Sequence, residues 1–345
     1  MDQNETAGPQ LLKLGIVMSI LPTIAILLRF WARLLTAGKR KLWWDDWLAL
    51  CSWCCCICCC AFTIYGVQLG LGKHFTAFKS KADVTQLLKI FYVSQIVFDL
   101  GITFAKFSAL CFYARIFSNK SKHYTIAYRV TFALVAVFIL YKLPAQIFSC
   151  IPPSKNWHPE MEGHCENNYT NFLMLIMGLI LDVITDLLIL ILPMPMIIRL
   201  QVTRKKTIAL VCVFIAGYVT LITSLGRMAS FISIKPHLGD PDISWYQVPE
   251  LSWSMAEIAT SVISICSPSW MTLFKRYMRG GLPSLFNSRD LSVEPTPALY
   301  GGARGRQSMA FQLMKTDSNA DRATSSRDDK DSVDQFSQPQ GRYHI

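Results

Sequence analysis

About seven stretches of this chain, near residues 11–35, 43–70, 87–117, 124–149, 169–198, 207–232 and 251–274, are apolar over the roughly twenty residues an α-helix needs to cross a bilayer. A backbone without water must close its hydrogen bonds internally, so such stretches read as transmembrane helices. The second, fifth and sixth are uninterrupted. Lys142 and Pro144 interrupt the fourth and Glu257 and Pro268 the seventh, which leaves six or eight spans as alternatives. The expected fold class is therefore all-α, a polytopic membrane bundle of about seven transmembrane helices. At 52% hydrophobic and 17% charged residues the chain is too apolar for an ordinary soluble domain. The net charge of +11 does not point to nucleic acid, because the basic residues lie in short clusters between the apolar runs.

Those clusters set the expected orientation. Arg33, Lys39, Arg40 and Lys41 follow the first span, Arg115, Lys120, Lys122 and Arg129 surround the junction of the third and fourth, Arg199, Arg204, Lys205 and Lys206 follow the fifth, and Lys275, Arg276 and Arg279 follow the seventh. The opposite loops hold fewer cations. The positive-inside rule then places the N-terminus outside and the C-terminus in the cytosol. The polar start MDQNETAGPQ lacks the pattern of a cleavable signal peptide, and the first span is expected to serve as the signal. The domain reading is an external tail over 1–10, a seven-helix domain over 11–279, and a cytosolic tail over 280–345, which has no apolar period and is expected to be disordered. Two glycosylation sequons, at Asn4 and Asn168, fall on the outer side, Asn4 being the better candidate.

The cysteines divide into two groups. Cys51 and the run from Cys54 to Cys60 crowd the second span, where a helix spreads them around its circumference as small packing residues rather than focusing them on a metal. Cys150 and Cys165 bracket an external loop, where a disulfide is expected.

Ionisable groups inside the spans are the candidate site. Asp182 and Asp186 are one helical turn apart in the fifth span and face the same way. Each would cost about 2.5–3.5 kcal/mol at mid-membrane unless it met a partner. At about 1.5 Å per residue, Lys106 lies at their depth; Asp99 lies further out on the same face as Lys106, and Arg227 and Glu257 share the outer half. The simplest pairing joins Lys106 to Asp186 or Asp182, and Arg227 to Glu257. Asp186 then reads as the structural pivot, and Asp182 as the functional residue. Asp45 and Asp46 open the second span and read as helix N-terminal acids, with Trp43, Trp44 and Trp47 as an interfacial belt. His158, His164, Asp240 and Asp242 are external residues of metal-binding type, but no spacing selects them, and no metal or cofactor is assigned.

An ordered set of motifs now carries a family resemblance: Trp44-Asp45-Asp46-Trp47, Leu69-Gly70-Leu71-Gly72-Lys73-His74, Phe104-Ala105-Lys106-Phe107-Ser108, and Phe112-Tyr113-Ala114-Arg115-Ile116-Phe117. Cys150-Ile151-Pro152-Pro153, Trp157, Cys165, Asp186, Leu192-Pro193-Met194-Pro195, Gly217, Arg227 and Glu257 continue it. In these the chain resembles the fungal seven-helix integral membrane family labelled the fungal rhodopsin-domain family, which includes receptor-like proteins and the satratoxin-cluster membrane protein. The label implies retinal. A rhodopsin-type Schiff base, however, needs a lysine in the last span, and Leu251 to Phe274 contains none. The cysteine-rich external domain that precedes the helices in some receptor-like members is not expected here.

Three functions stay open at this point. One is a receptor-like protein of a fungus that binds a small apolar ligand in the bundle, without retinal, and signals through its basic cytosolic loops and tail to a cytosolic partner. The second is a membrane enzyme or accessory protein in the biosynthesis of a fungal secondary metabolite or mycotoxin, with Asp182 and Glu257 as candidate acids beside Asp186. The third, a transporter, lacks the broken repeats that would mark it.

Overall fold

In a computed structural model, the described residues are 6–36, 42–73, 81–116, 122–158, 160–166, 168–195, 204–234 and 243–286. They form seven long helices: α1 (Gly8–Thr36), α2 (Trp44–Leu69), α3 (Lys81–Ile116), α4 (Lys122–Ile147), α5 (Asn168–Ile191), α6 (Arg204–Ile234) and α7 (Val248–Phe286). The first six contain segments long and apolar enough to cross a membrane. The seventh carries Glu250 and Glu257 among its serines and packs against α1, α2, α3 and α6. The chain divides into two units, residues 1–291 and 292–345, and all seven helices belong to the first. Helix α7 runs on to Phe286, past the point where the loss of apolar pattern set the start of the tail. Residues 287–345 lie outside the described residues.

Each helix packs on the next, and α7 returns to α1, so the ring closes. Helix α3 crosses its middle and also touches α5 and α7. Close approach is built from small residues, as it must be where lipid removes the hydrophobic drive between helices. A Cβ at Gly101 of α3 would stand 2.6 Å from Ile258 Cδ1 on α7 and 2.8 Å from Cys55 Cβ on α2. The Ser52 hydroxyl donates to the Gly101 carbonyl at 2.9 Å in the same crossing. The core there includes Ala49, Cys56, Cys59, Cys60, Ile102, Ala105 and Ile258. The cysteines of α2 thus divide, with Cys56, Cys59 and Cys60 buried and Cys51, Cys54 and Cys58 exposed. Large apolar side chains such as Leu27, Leu34 and Leu140 face outward, the pattern of a lipid-facing surface.

Two devices shape the ends. Gly70 closes α2 in the left-handed conformation at φ 114°, and the next amide, of Leu71, donates to the Gly66 carbonyl at 2.9 Å. Between α4 and α5, β1 (Cys150–Ile151) pairs antiparallel with β2 (His164–Cys165), and Cys150 opposite Cys165 is joined to it as a disulfide. The loop is moored to α3: the Trp157 ring lies 5.3 Å from that of Tyr92, and the Tyr92 hydroxyl donates to the Ile147 carbonyl at 3.1 Å.

Candidate functional site

The intramembrane charges converge from four helices. Lys106 of α3 donates to Asp182 Oδ1 at 2.5 Å, to the Asp182 carbonyl at 2.9 Å and to the Thr185 hydroxyl at 2.7 Å, all on α5. It also pairs with Asp186 Oδ1 at 2.8 Å. The other Asp182 oxygen accepts from Arg227 of α6, whose Nε donates to Glu257 Oε2 of α7 at 2.5 Å. Asp186 Oδ2 accepts from the Ser224 hydroxyl at 2.6 Å. Aromatic faces back both cations: Phe98 lies 4.7 Å from the Arg227 guanidinium and Phe138 5.4 Å from Lys106 Nζ. Asp182 and Glu257 are fully buried, with Lys106 and Arg227 almost so.

Instead of two separate pairs, the structure has one network, because Asp182 is deep enough to reach both cations. The tie expected of Asp186 falls to Asp182. Asp182 is the pivot, and Asp186 is the more peripheral acid, with a side chain 10% exposed against 1% for Asp182. Asp182, Asp186 and Glu257 bring one oxygen each within 4.8 Å of one another. Those oxygens face Lys106, Arg227 and Ser224, so a divalent ion would have to displace a resident cation.

Asp99 is not drawn into this network. It is 1% exposed, and neither carboxylate oxygen has a hydrogen-bond partner among the described residues. The other candidates lie elsewhere. His158 and His164 are in the disulfide loop, whereas Asn4, Arg199, Asp240 and Asp242 fall outside the described residues. Asn168 is the first residue of α5.

A second charge network, at the other end of the bundle, was only half legible. Asp45 and Asp46 do stand in the first turn of α2, and Asp46 Oδ2 accepts from the Trp43 amide at 3.3 Å. Both, however, are 1% exposed and bind arginines. Arg29 of α1 holds Asp45 at 2.8 Å and Asp46 at 2.9 Å, and Arg33, one turn on, holds the same two at 2.8 and 3.1 Å. Arg115 of α3 approaches Asp45 at 3.4 Å and packs on Trp43. Arg29 also donates to the Ile265 carbonyl of α7. The overlooked signal was Arg29 itself, an arginine within an apolar span with another four residues later on the same face.

Similar proteins place this architecture. A SAT4 family membrane protein of Emericella nidulans is 28% identical over 255 residues, 69% of this chain and 61% of that protein. The polyenoic acids biosynthesis gene cluster protein Ba17b of Metarhizium anisopliae is 27% identical across 82% of this chain and 78% of its own length. Receptor GIN3 of Arthrobotrys oligospora is 24% identical across 81% and 66%. The chain therefore spans about three fifths of the first of these relatives. No solved structure matches it. Residues 28–276, which hold both charge networks, match the fungal rhodopsin domain, and the chain belongs to that family of multi-pass membrane proteins.

Proposed function

We propose that the chain is a receptor-like seven-helix protein, with its N-terminus outside and its C-terminus in the cytosol, that binds a small apolar ligand within the bundle and passes its occupancy to a cytosolic partner. One observation carries this reading: a single carboxylate, Asp182, ties α3 to α6 while Arg227 ties α6 to α7. Sliding any one of these helices would strand a buried charge, so intermediate arrangements are disfavoured and the bundle has discrete states. Such an element suits a switch that a ligand biases. The basic cluster Arg199, Arg204, Lys205 and Lys206 in the sequence supports contact with a cytosolic partner or anionic lipid. The name of Receptor GIN3 supports the same reading.

A second reading, a membrane enzyme or accessory protein of secondary-metabolite biosynthesis, is supported by the gene-cluster relative Ba17b. It would need a carboxyl presented to substrate. Asp182 and Glu257 instead face Arg227, which weighs toward the receptor. Deleting the gene and profiling extracted metabolites by mass spectrometry separates the two. The receptor reading expects unchanged metabolites with an altered response to an external cue; an accumulating intermediate would overturn it.

A further inference from the structure

The charges of the second network do not cancel. Arg29, Arg33 and Arg115 meet two carboxylates, Asp45 and Asp46, and no third acid pairs with any of them among the described residues. The residues that lead from Thr36 to Leu42, Ala37-Gly38-Lys39-Arg40-Lys41, add three cations and no acid to that connection. One positive charge is therefore left over within the network itself, at the end of the bundle where α1 stops and α2 starts. In surroundings of low dielectric such a surplus attracts an anion.

The surplus is presented at one place. Arg29 is shut in, whereas the side chains of Arg33 and Arg115 are 23% and 17% exposed. Both of these are seated on a single carboxylate: Arg33 Nη2 lies 2.8 Å from Asp45 Oδ2, and Arg115 Nη1 lies 3.4 Å from Asp45 Oδ1. The two guanidiniums thus flank the same group and can reach a common ligand. Arg33 spends Nε and Nη2 on the two acids, and Arg115 spends only Nη1. Arg33 Nη1 and Arg115 Nε and Nη2 keep their protons unclaimed among the described residues. The Trp43 ring, 5.1 Å from the Arg115 guanidinium, steadies that fork.

The neighbours say what would carry the anion. Leu34, next to Arg33, and Leu27, two turns back on the same face of α1, are both exposed, so an apolar surface runs up to the arginine. Trp43, Trp44 and Trp47 are exposed as well, as indoles are at the headgroup level of a bilayer. A soluble anion would use neither feature. Phosphate suits two adjacent guanidiniums, because its oxygens accept from both forks at once. A zwitterionic headgroup brings its own cation and leaves the surplus in place. We infer that Arg33 and Arg115 hold the phosphate of an anionic phospholipid, whose acyl chains lie against Leu27 and Leu34. This site is separate from the Asp182 network and stands under either reading of the bundle's function.

The test is native mass spectrometry of the full chain released from detergent micelles and titrated with dioleoyl phosphatidic acid, dioleoyl phosphatidylcholine and inorganic phosphate. The expected result is a saturable phosphatidic acid adduct that inorganic phosphate in excess does not displace. Phosphatidylcholine, with the same chains, should bind about ten-fold more weakly, the worth of one charge-assisted hydrogen bond. Arg33→Gln and Arg115→Gln, each checked for retained helicity, should each weaken phosphatidic acid by about ten-fold and leave phosphatidylcholine unchanged. Lys205→Gln combined with Lys206→Gln, which removes cations elsewhere in the sequence, should leave phosphatidic acid binding unchanged. Equal binding of the two lipids, displacement by inorganic phosphate, binding untouched by both arginine variants, or an equal loss in the lysine variant would overturn the assignment. Chemical protection on the unaltered protein keeps the test decisive if a variant fails to fold. Phosphatidic acid, but not phosphatidylcholine, should shield Arg33 and Arg115 from phenylglyoxal, read by peptide mass mapping; equal modification under both lipids would remove the inference.

Discussion

Lys106 of α3 grips Asp182 of α5 twice, through the side chain at 2.5 Å and the backbone carbonyl at 2.9 Å. Because the second contact survives loss of the carboxylate charge, the two acids beside Lys106 are not equivalent. The carboxylate of Asp182 also serves Arg227, while that of Asp186 shares Lys106 with only a serine hydroxyl.

The first prediction follows from that inequality. Double-mutant cycles combining Lys106→Met or Arg227→Met with Asp182→Asn should each give couplings of about 1–2 kcal/mol, the upper range for contacts in membrane proteins. The Lys106–Asp186 cycle should give less than half of that. Unfolding of the purified protein in mixed micelles measures these values, and a larger coupling at Asp186 would return the pivot to that residue.

Gly226 supplies a second prediction, on packing. A Cβ there would stand 2.6 Å from the Trp253 ring of α7, whose rigid bicyclic side chain has little freedom to yield. Gly226→Ala should destabilise by about 1–3 kcal/mol, as overpacking does. Adding Trp253→Leu should recover part of the loss in the same unfolding measurement. Full tolerance of Gly226→Ala in the unaltered background would show that α6 and α7 separate easily, against a tightly crossed pair.

How far the sequence reached is clearest in the charges. Helix existence was legible because apolar length is a one-dimensional property, and depth along each helix was legible from the rise per residue. Rotation about each axis was not. Depth alone put Arg227 with Glu257 and Lys106 with an acid of α5, but it could not show that Asp182 faces both cations. Asp45 and Asp46 were legible as first-turn acids because capping is local. Their burial under Arg29 and Arg33 depends on how α1 lies across α2, which no local pattern encodes. Lys142 looked like a flaw in the fourth span; only the glycine opposite it on α5, Gly178, shows that the fold makes room for it.

The loop between α4 and α5 leads to a third prediction. The disulfide joins residues 15 apart in sequence, so closing that loop limits the unfolded chain. Replacing both cysteines with serine should lower stability by about 3 kcal/mol on a chain-entropy basis. Trp157 should lose its seat on Tyr92 as the loop loosens, which its fluorescence would report against a Trp157→Phe control. Unchanged stability together with unchanged fluorescence would mean that the Trp157–Tyr92 contact and the short strand pair hold the loop without the bridge.

Arg29 carries the fourth prediction, which joins the second network to the proposed switch. It is 1% exposed, holds Asp45 and Asp46 of α2, and reaches the Ile265 carbonyl of α7. Removing its guanidinium takes away one tie of α7 to α1 and α2 and leaves two buried carboxylates whose remaining arginine partners among the described residues are Arg33 and Arg115. Arg29→Gln should therefore destabilise more than Arg33→Gln, whose side chain is 23% exposed and partly screened. The upper bound for Arg29 is about 3–5 kcal/mol, the range for breaking a buried pair. Under the receptor reading it should also raise the response in the absence of any cue, because one restraint on α7 is gone. A transcriptional reporter of that response in Arg29→Gln, with protein level matched to the unaltered chain, checks it. Loss of stability with a silent reporter would make the network a structural clasp and leave the Asp182 cluster as the only switch element.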